Sequence, residues 1–354
     1  MIADILQALR QRREFASLQP ADLEMLPGKG TAHIHVRIRP IIDGRHLLAR
    51  ICLASRGDAG AAARLTEQEN AFRIAVASAT TPGIHCVIAP GEAVPGGMLV
   101  VDEIAGLPPK LPGDLAALAD ALATLHLLPP PVPTDAINLP RANDRFGERL
   151  VLIEQTLSRF LPLANLSAGA VGELEDEVAW LRRVAPAQDG LALSSSLLLT
   201  DTHPGNFLVD ASGKAWFVDL EKTMIGGARA CDLAHATLYT STRWDPDVDT
   251  ILDVADVGDF YRHYLHRQPD QLRQALLPAL LPARRLIWLR TTSFCIRWKV
   301  ETAQPHEPGL PQQWSAAGLD ARMLAHNRAL LADLLAADTM RRIRSEWLEG
   351  RLVI

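Results

Sequence analysis

The chain has 354 residues, more than one hydrophobic core ordinarily serves, so two lobes or domains are expected. Hydrophobic residues make up 48% and charged residues 22%, which excludes a disordered chain poor in large aliphatic side chains. Lys and Arg number 36 against 41 Asp and Glu, a formal charge of −5, so the basic excess of a nucleic-acid binder is missing.

Cys52, Cys86, Cys231 and Cys295 form no CxxC pair. That argues against a disulfide framework or a zinc ribbon and suits a reducing compartment. The first fifteen residues meet Asp4 and Arg10 too early for a signal peptide. No apolar run approaches the roughly 18 residues of a membrane span. A cytoplasmic protein without a membrane partner is expected.

In chain order, Ile5, Leu6, Leu9 and Phe15 predict a leading helix over 3–15. Apolar residues at 34, 36 and 38 alternate with polar ones, which reads as a half-buried strand. Asp43-Gly44 then marks a hairpin turn, with His46 to Leu53 returning. Residues 60–78 predict a helix, and Ile84–Ala89 and Met98–Val101 a further antiparallel pair. After Gly106 helices dominate, over 115–128, 146–160, 170–184, 251–265, 283–301 and 316–337. The apolar stretch 275–283 is broken by Pro278 and Pro282, and the proline-rich segment 129–140 reads as an extended connection. The expected fold is α+β: an antiparallel-sheet lobe with one helix over 1–104, and a larger, mostly helical lobe over 105–354.

Residues 197–219 stand apart. An apolar run delivers Asp201; a His-Pro-Gly turn and Asn206 follow; a second run ends at Asp210; the chain returns through 215–218 to Asp219 and Glu221. A hairpin there brings Asp201, Asn206 and Asp219 to one end of a short ribbon. Carboxylate and amide oxygens suit Mg²⁺ held with phosphates, and a further carboxylate can accept a hydroxyl proton.

These two segments resemble the catalytic and metal loops of the aminoglycoside phosphotransferase and choline kinase family, relatives of the protein kinases. The family's D-x-x-x-x-N is matched by Asp201 and Asn206, and its I-D-W-E-type segment by Val218-Asp219-Leu220-Glu221. The helix ending in Leu125-His126 and the Asp232-Leu233-Ala234 segment are similar as well. The resemblance implies a bilobal protein-kinase-like fold and an ATP- and Mg²⁺-dependent transfer to a hydroxyl of a small molecule. Asp201 is then the catalytic base, Asn206, Asp219 and Glu221 the metal ligands, and Asp232 the loop's anchor. Gly28, Gly30 and Thr31 would cover the ATP phosphates, since glycines let backbone N–H groups approach phosphate oxygens. Arg50 would grip phosphate from the third strand, paired with Glu69 or, second, Glu67 from the helix. Backbone groups of Asp102 and Ile104 would hold the adenine edge.

Two departures from the family are visible: Leu199 where a His is frequent, and His33 where an Asn is common. They give some weight to an alternative, a nucleotide-binding pseudokinase acting as regulator or scaffold. A protein kinase is disfavoured because no D-F-G or A-P-E-like segment follows Asp219. His203 is read as a loop-positioning residue, and His263 and His266 as surface histidines. Residues 1–106 carry 11 basic and 11 acidic side chains, and 107–354 carry 25 and 30, which tilts the acceptor toward a cationic amino sugar or amino alcohol. Trp288, Trp298, Trp314 and Trp347 read as core before pocket wall.

Overall fold

Apolar alternation and the left-handed turn at Asp43-Gly44 organise the first hundred residues. The computed structural model describes residues 1–27, 32–53, 58, 60–131, 139–142, 145–303 and 321–352. Helix α1 (Ile2–Leu9) is shorter than the expected 3–15. The Arg10 guanidinium bonds the Leu18 carbonyl (Nε to O, 2.9 Å) and folds the chain back, which carries Phe15 into full burial.

Strands β1 (Leu23–Met25), β2 (His33–Ile42) and β3 (Arg45–Cys52) precede helix α2 (Ala61–Ala75), and β4 (Ile84–Ile88) and β5 (Met98–Asp102) follow it. They make one antiparallel sheet in the order β1-β2-β3-β5-β4. At the β2–β3 turn Asp43 and Gly44 have φ of 49° and 76°, the left-handed pair that matches the twist of a two-residue hairpin. Val36, Ile38, Leu47 and Ala49 pack with α1 on one face. On the other face Leu99 and Val101 meet Leu65 and Phe72 of α2, in a core that continues into the second lobe.

That lobe starts with β6 (Gly106–Leu107), α3 (Leu115–His126), α4 (Phe146–Phe160) and α5 (Ala168–Asp189). Then come β7 (Ser196–Leu198), β8 (Phe207–Asp210), β9 (Ala215–Phe217) and β10 (Met224–Gly226). Helices α6 (Arg229–Thr237), α7 (Tyr239–Thr242), α8 (Val254–His266), α9 (Asp270–Ala303), α10 (Ala321–Leu334) and α11 (Ala337–Leu348) complete it. β8 and β9 form the expected hairpin, with β6 on its other side, and β7 pairs with β10. The Phe217 N–H donates to the Thr80 carbonyl at 2.8 Å, tying the hairpin to the first lobe.

Two helices of the second lobe depart from expectation. α9 runs for 34 residues through Pro278 and Pro282, because Leu276, Ala279, Leu280 and Ala283 face the core and their burial outweighs the proline penalty. α11 was not expected from its charged sequence. Its Arg344 reaches the fully buried Glu177 at 3.0 Å, and Arg285 of α9 meets the same carboxylate at 2.5 Å. Trp288, Trp298 and Trp347 are buried core residues; Trp314 lies outside the described residues, as do 132–138 of the proline-rich connection. Among the described residues, no helix is long and apolar enough to cross a membrane.

Candidate active site

The loop between β7 and β8 is held from α6. Asp232, 2% exposed, accepts the Leu199 N–H at 2.7 Å and the Thr200 N–H at 3.0 Å. His126, the last residue of α3, places Nε2 3.1 Å from Asp232 and Nδ1 2.8 Å from the Tyr264 hydroxyl. The carboxylate accepts, so Nε2 carries the hydrogen and Nδ1 accepts from Tyr264. Thr202 adds a bond from its hydroxyl to the Asp232 carbonyl at 2.6 Å. This clamp holds Thr200 at φ 60° while the Asp201 N–H closes on the Leu199 carbonyl at 2.8 Å. Such a γ-turn is strained for a residue with a Cβ, and Asp201 follows directly from it. Leu199 is fully buried beneath the turn.

Asp201 is half-buried beside Lys222 and His235. Lys222 Nζ lies 2.5 Å from Oδ2, and His235 Nδ1 lies 3.9 Å from Oδ1. Burial alone would raise this carboxyl, but His203, Lys222 and His235 together hold it well below the usual carboxylate range. Burial pushes the His235 imidazole down to about 3, so near neutral pH Lys222, and not His235, pairs a positive charge with Asp201. Asp201 is thus a permanent anion, suited to accepting and aligning a hydroxyl hydrogen.

Asn206 ends a short turn in which its side-chain N–H donates to the Asp201 carbonyl at 2.8 Å, and its own carbonyl accepts the Val218 N–H at 3.0 Å. That leaves the amide oxygen for a cation. Asp219 follows β9 and pairs with Arg50 of β3, which also donates to the Val218 carbonyl at 3.3 Å. Against its burial, Arg50 and then His33 hold the Asp219 carboxyl below its ordinary value. Glu221 lies 3.2 Å from His33 Nδ1; burial and the neighbouring Asp219 push its carboxyl up. Two carboxylates and an amide oxygen are the hard donor set that Mg²⁺ takes.

The model of the phosphotransferase enzyme family matches residues 41–266. The chain belongs to that family. No curated protein matches the sequence. Among solved structures, this phosphotransferase is similar to a choline/ethanolamine kinase family protein of Mesorhizobium loti, at TM-score 0.61 and 16% identity over 99% of this chain and 97% of that one. A choline kinase of Cryptosporidium parvum aligns at TM-score 0.62 and 12% identity over 100% and 98%. An aminoglycoside phosphotransferase in ternary complex with AMP-PNP and hygromycin B aligns at 0.55 and 14% over 96% and 98%. At these identities the likeness establishes the protein-kinase-like fold.

One expected contact of the phosphotransferase is corrected. Arg50 does not pair with Glu69; Glu69 accepts from Arg73 Nε at 2.9 Å, one turn along α2. The face of α2 toward the sheet carries Leu65, Gln68 and Phe72, and Glu69 is rotated about 100° from Gln68. Gln68 occupies the inward position, 3.0 Å from His33 Nε2, and the Arg50 guanidinium lies 6.0 Å above the Phe72 ring. Arg50 finds its carboxylate across the lobes instead. Asp102 ends β5 with its N–H on the Gly83 carbonyl at 2.9 Å, and the Ile104 carbonyl accepts the Gly106 N–H at 2.9 Å. Gly28, Gly30 and Thr31 lie outside the described residues.

Sequence reasoning missed Lys222, His235 and Gln68. Lys222 adjoins the D-x-E segment and could have been flagged by adjacency. Gln68 shows only in the burial phase of α2, and His235 in no pattern at all.

Proposed function

We propose that this phosphotransferase carries the γ-phosphoryl group of ATP to a hydroxyl of a small molecule. One observation carries the reading: the β7–β9 segment gathers Asp201, Asn206, Asp219 and Glu221, and Arg50 of the other lobe closes on Asp219. The nucleotide lies where the lobes meet, near 104–105, with its adenine edge on backbone groups of Asp102 and Ile104. Arg50 turns from Asp219 to grip phosphate oxygens bidentately. Asn206, Asp219 and Glu221 hold Mg²⁺, which when bound neutralises the phosphates. Asp201 accepts the hydroxyl hydrogen and aims the oxygen in line; positioning does most of the work, and proton removal comes late. Lys222 keeps Asp201 ionised and oriented for that task.

The acidic excess of the second lobe favours a cationic acceptor, an amino alcohol or amino sugar. The relatives support this class, being a choline kinase and an aminoglycoside enzyme. ATP with Mg²⁺ is expected to raise the melting temperature, because a ligand of the folded state alone stabilises it, and EDTA to diminish the shift. ADP release across amino alcohols and amino sugars then identifies the acceptor. No shift at millimolar nucleotide would refute the reading. Nucleotide binding with no ADP release from any acceptor would favour the regulator.

A further inference from the structure

His33 opens β2 and is 7% exposed. Its Nε2 lies 3.0 Å from Gln68 Oε1, and the Cys52 thiol approaches the same oxygen at 3.7 Å. Two donors converging on that atom make it the acceptor, so Nε2 carries the ring hydrogen and Nδ1 the lone pair. Nδ1 faces Glu221 Oε2 at 3.2 Å, and with an Asp219 oxygen the three donor atoms lie within 4.8 Å of one another.

Lone pairs this close repel unless a positive charge lies among them. The Arg50 guanidinium supplies it here, with Nη2 at 3.3 Å from His33 Nδ1 and in an ion pair with Asp219. In the function proposed above Arg50 serves the phosphates. Once it turns there, the nitrogen and the two carboxylates need another cation.

We infer that His33 Nδ1 is a protein ligand, beside Asp219 and Glu221, of the divalent ion that accompanies the nucleotide, and that the site prefers Mn²⁺ to Mg²⁺. The inference rests on the nucleotide site proposed above. Mg²⁺ takes oxygen ligands and parts reluctantly with water, whereas a first-row transition ion also accepts imidazole nitrogen. Mn²⁺ in addition suits the carboxylate and phosphate oxygens of this site. Donors about 2.1 Å from one ion stand at most about 4.2 Å apart, so small side-chain rotations close the set. Gln68 provides the outer bond that fixes tautomer and ring direction, the support a ligating histidine ordinarily has.

The test uses the full chain with Mn²⁺ and ADP. Electron spin echo envelope modulation of the wild-type complex is expected to show the nitrogen coupling of a directly bound imidazole. In His33→Asn, which keeps a short polar side chain, the coupling should vanish while Mn²⁺ still binds. Calorimetry alongside should show the preference for Mn²⁺·ADP over Mg²⁺·ADP falling about tenfold in the variant. If His33→Asn does not fold, His33→Gln carries the same comparison. A wild-type Mn²⁺·ADP complex without imidazole coupling overturns the inference, as does coupling that survives in the variant and so comes from another histidine. Failure of either ion to bind with ADP overturns the proposed nucleotide site itself.

Discussion

Asp232→Asn is the substitution that strikes the loop between β7 and β8 through its anchor. In the wild type one buried carboxylate serves Leu199 N–H at 2.7 Å, Thr200 N–H at 3.0 Å and His126 Nε2 at 3.1 Å. An amide keeps one oxygen and turns an N–H toward the remaining donors. At least one buried backbone N–H is then unsatisfied, costing about 1–3 kcal/mol, and the retained bond loses its charge assistance, about another 1 kcal/mol. The sum is about 3 kcal/mol, which for a lobe of this size lowers the melting temperature by about 6–12 °C. Activity should fall further than stability does. Thr200 at φ 60° is held by this anchor, and its release relaxes the turn that aims Asp201. Denaturation midpoints and turnover, measured below the melting range of the variant, separate the two effects. A variant with unchanged melting temperature and turnover would refute the clamp.

Asp201→Asn should cut phosphoryl transfer about 10²-fold or more while Mg-ATP affinity changes little, as single-turnover transfer with parallel binding will check. Lys222→Met removes the cation from Asp201 and should lower turnover about tenfold; the side chain is half exposed, so the melting temperature should stay within about 1 °C. Gln68→Ala should weaken nucleotide binding and Glu69→Ala should not, because only Gln68 reaches the His33–Arg50 group; titration calorimetry decides. Burial, with Arg50 adding to the first two, holds His33 at about 3, His35 at about 4 and His235 at about 3. The unfolded chain therefore binds more protons below about pH 6.5, and stability should fall by about 1.4 kcal/mol per such histidine for each pH unit down to about 4. Urea midpoints at about pH 7.5 and 5.5 test the sign, and His235→Gln should flatten the slope.

What the sequence determined by itself are the features written in local pattern. Period-two alternation and Asp43-Gly44 specify the β2–β3 hairpin, since strand facing and turn twist depend on neighbours within a few residues. The spacing of Asp201, Asn206 and Asp219 is equally local, because one short hairpin unites them. Tertiary structure decided the remainder. Whether Glu69 or Gln68 faces Arg50 depends on the rotational phase of α2 against the sheet, and one residue is a 100° turn. The partner of Arg50 is Asp219, distant in sequence and brought near only by the closing of the lobes. α9 passes two prolines because its apolar face has a core to enter, and α11 exists because Glu177 waits buried beneath its Arg344. His235 and Lys222 reach Asp201 from α6 and from the turn after Asp219, through contacts that only packing creates. Periodicity reports which face of an element is buried; it holds no record of what that face meets.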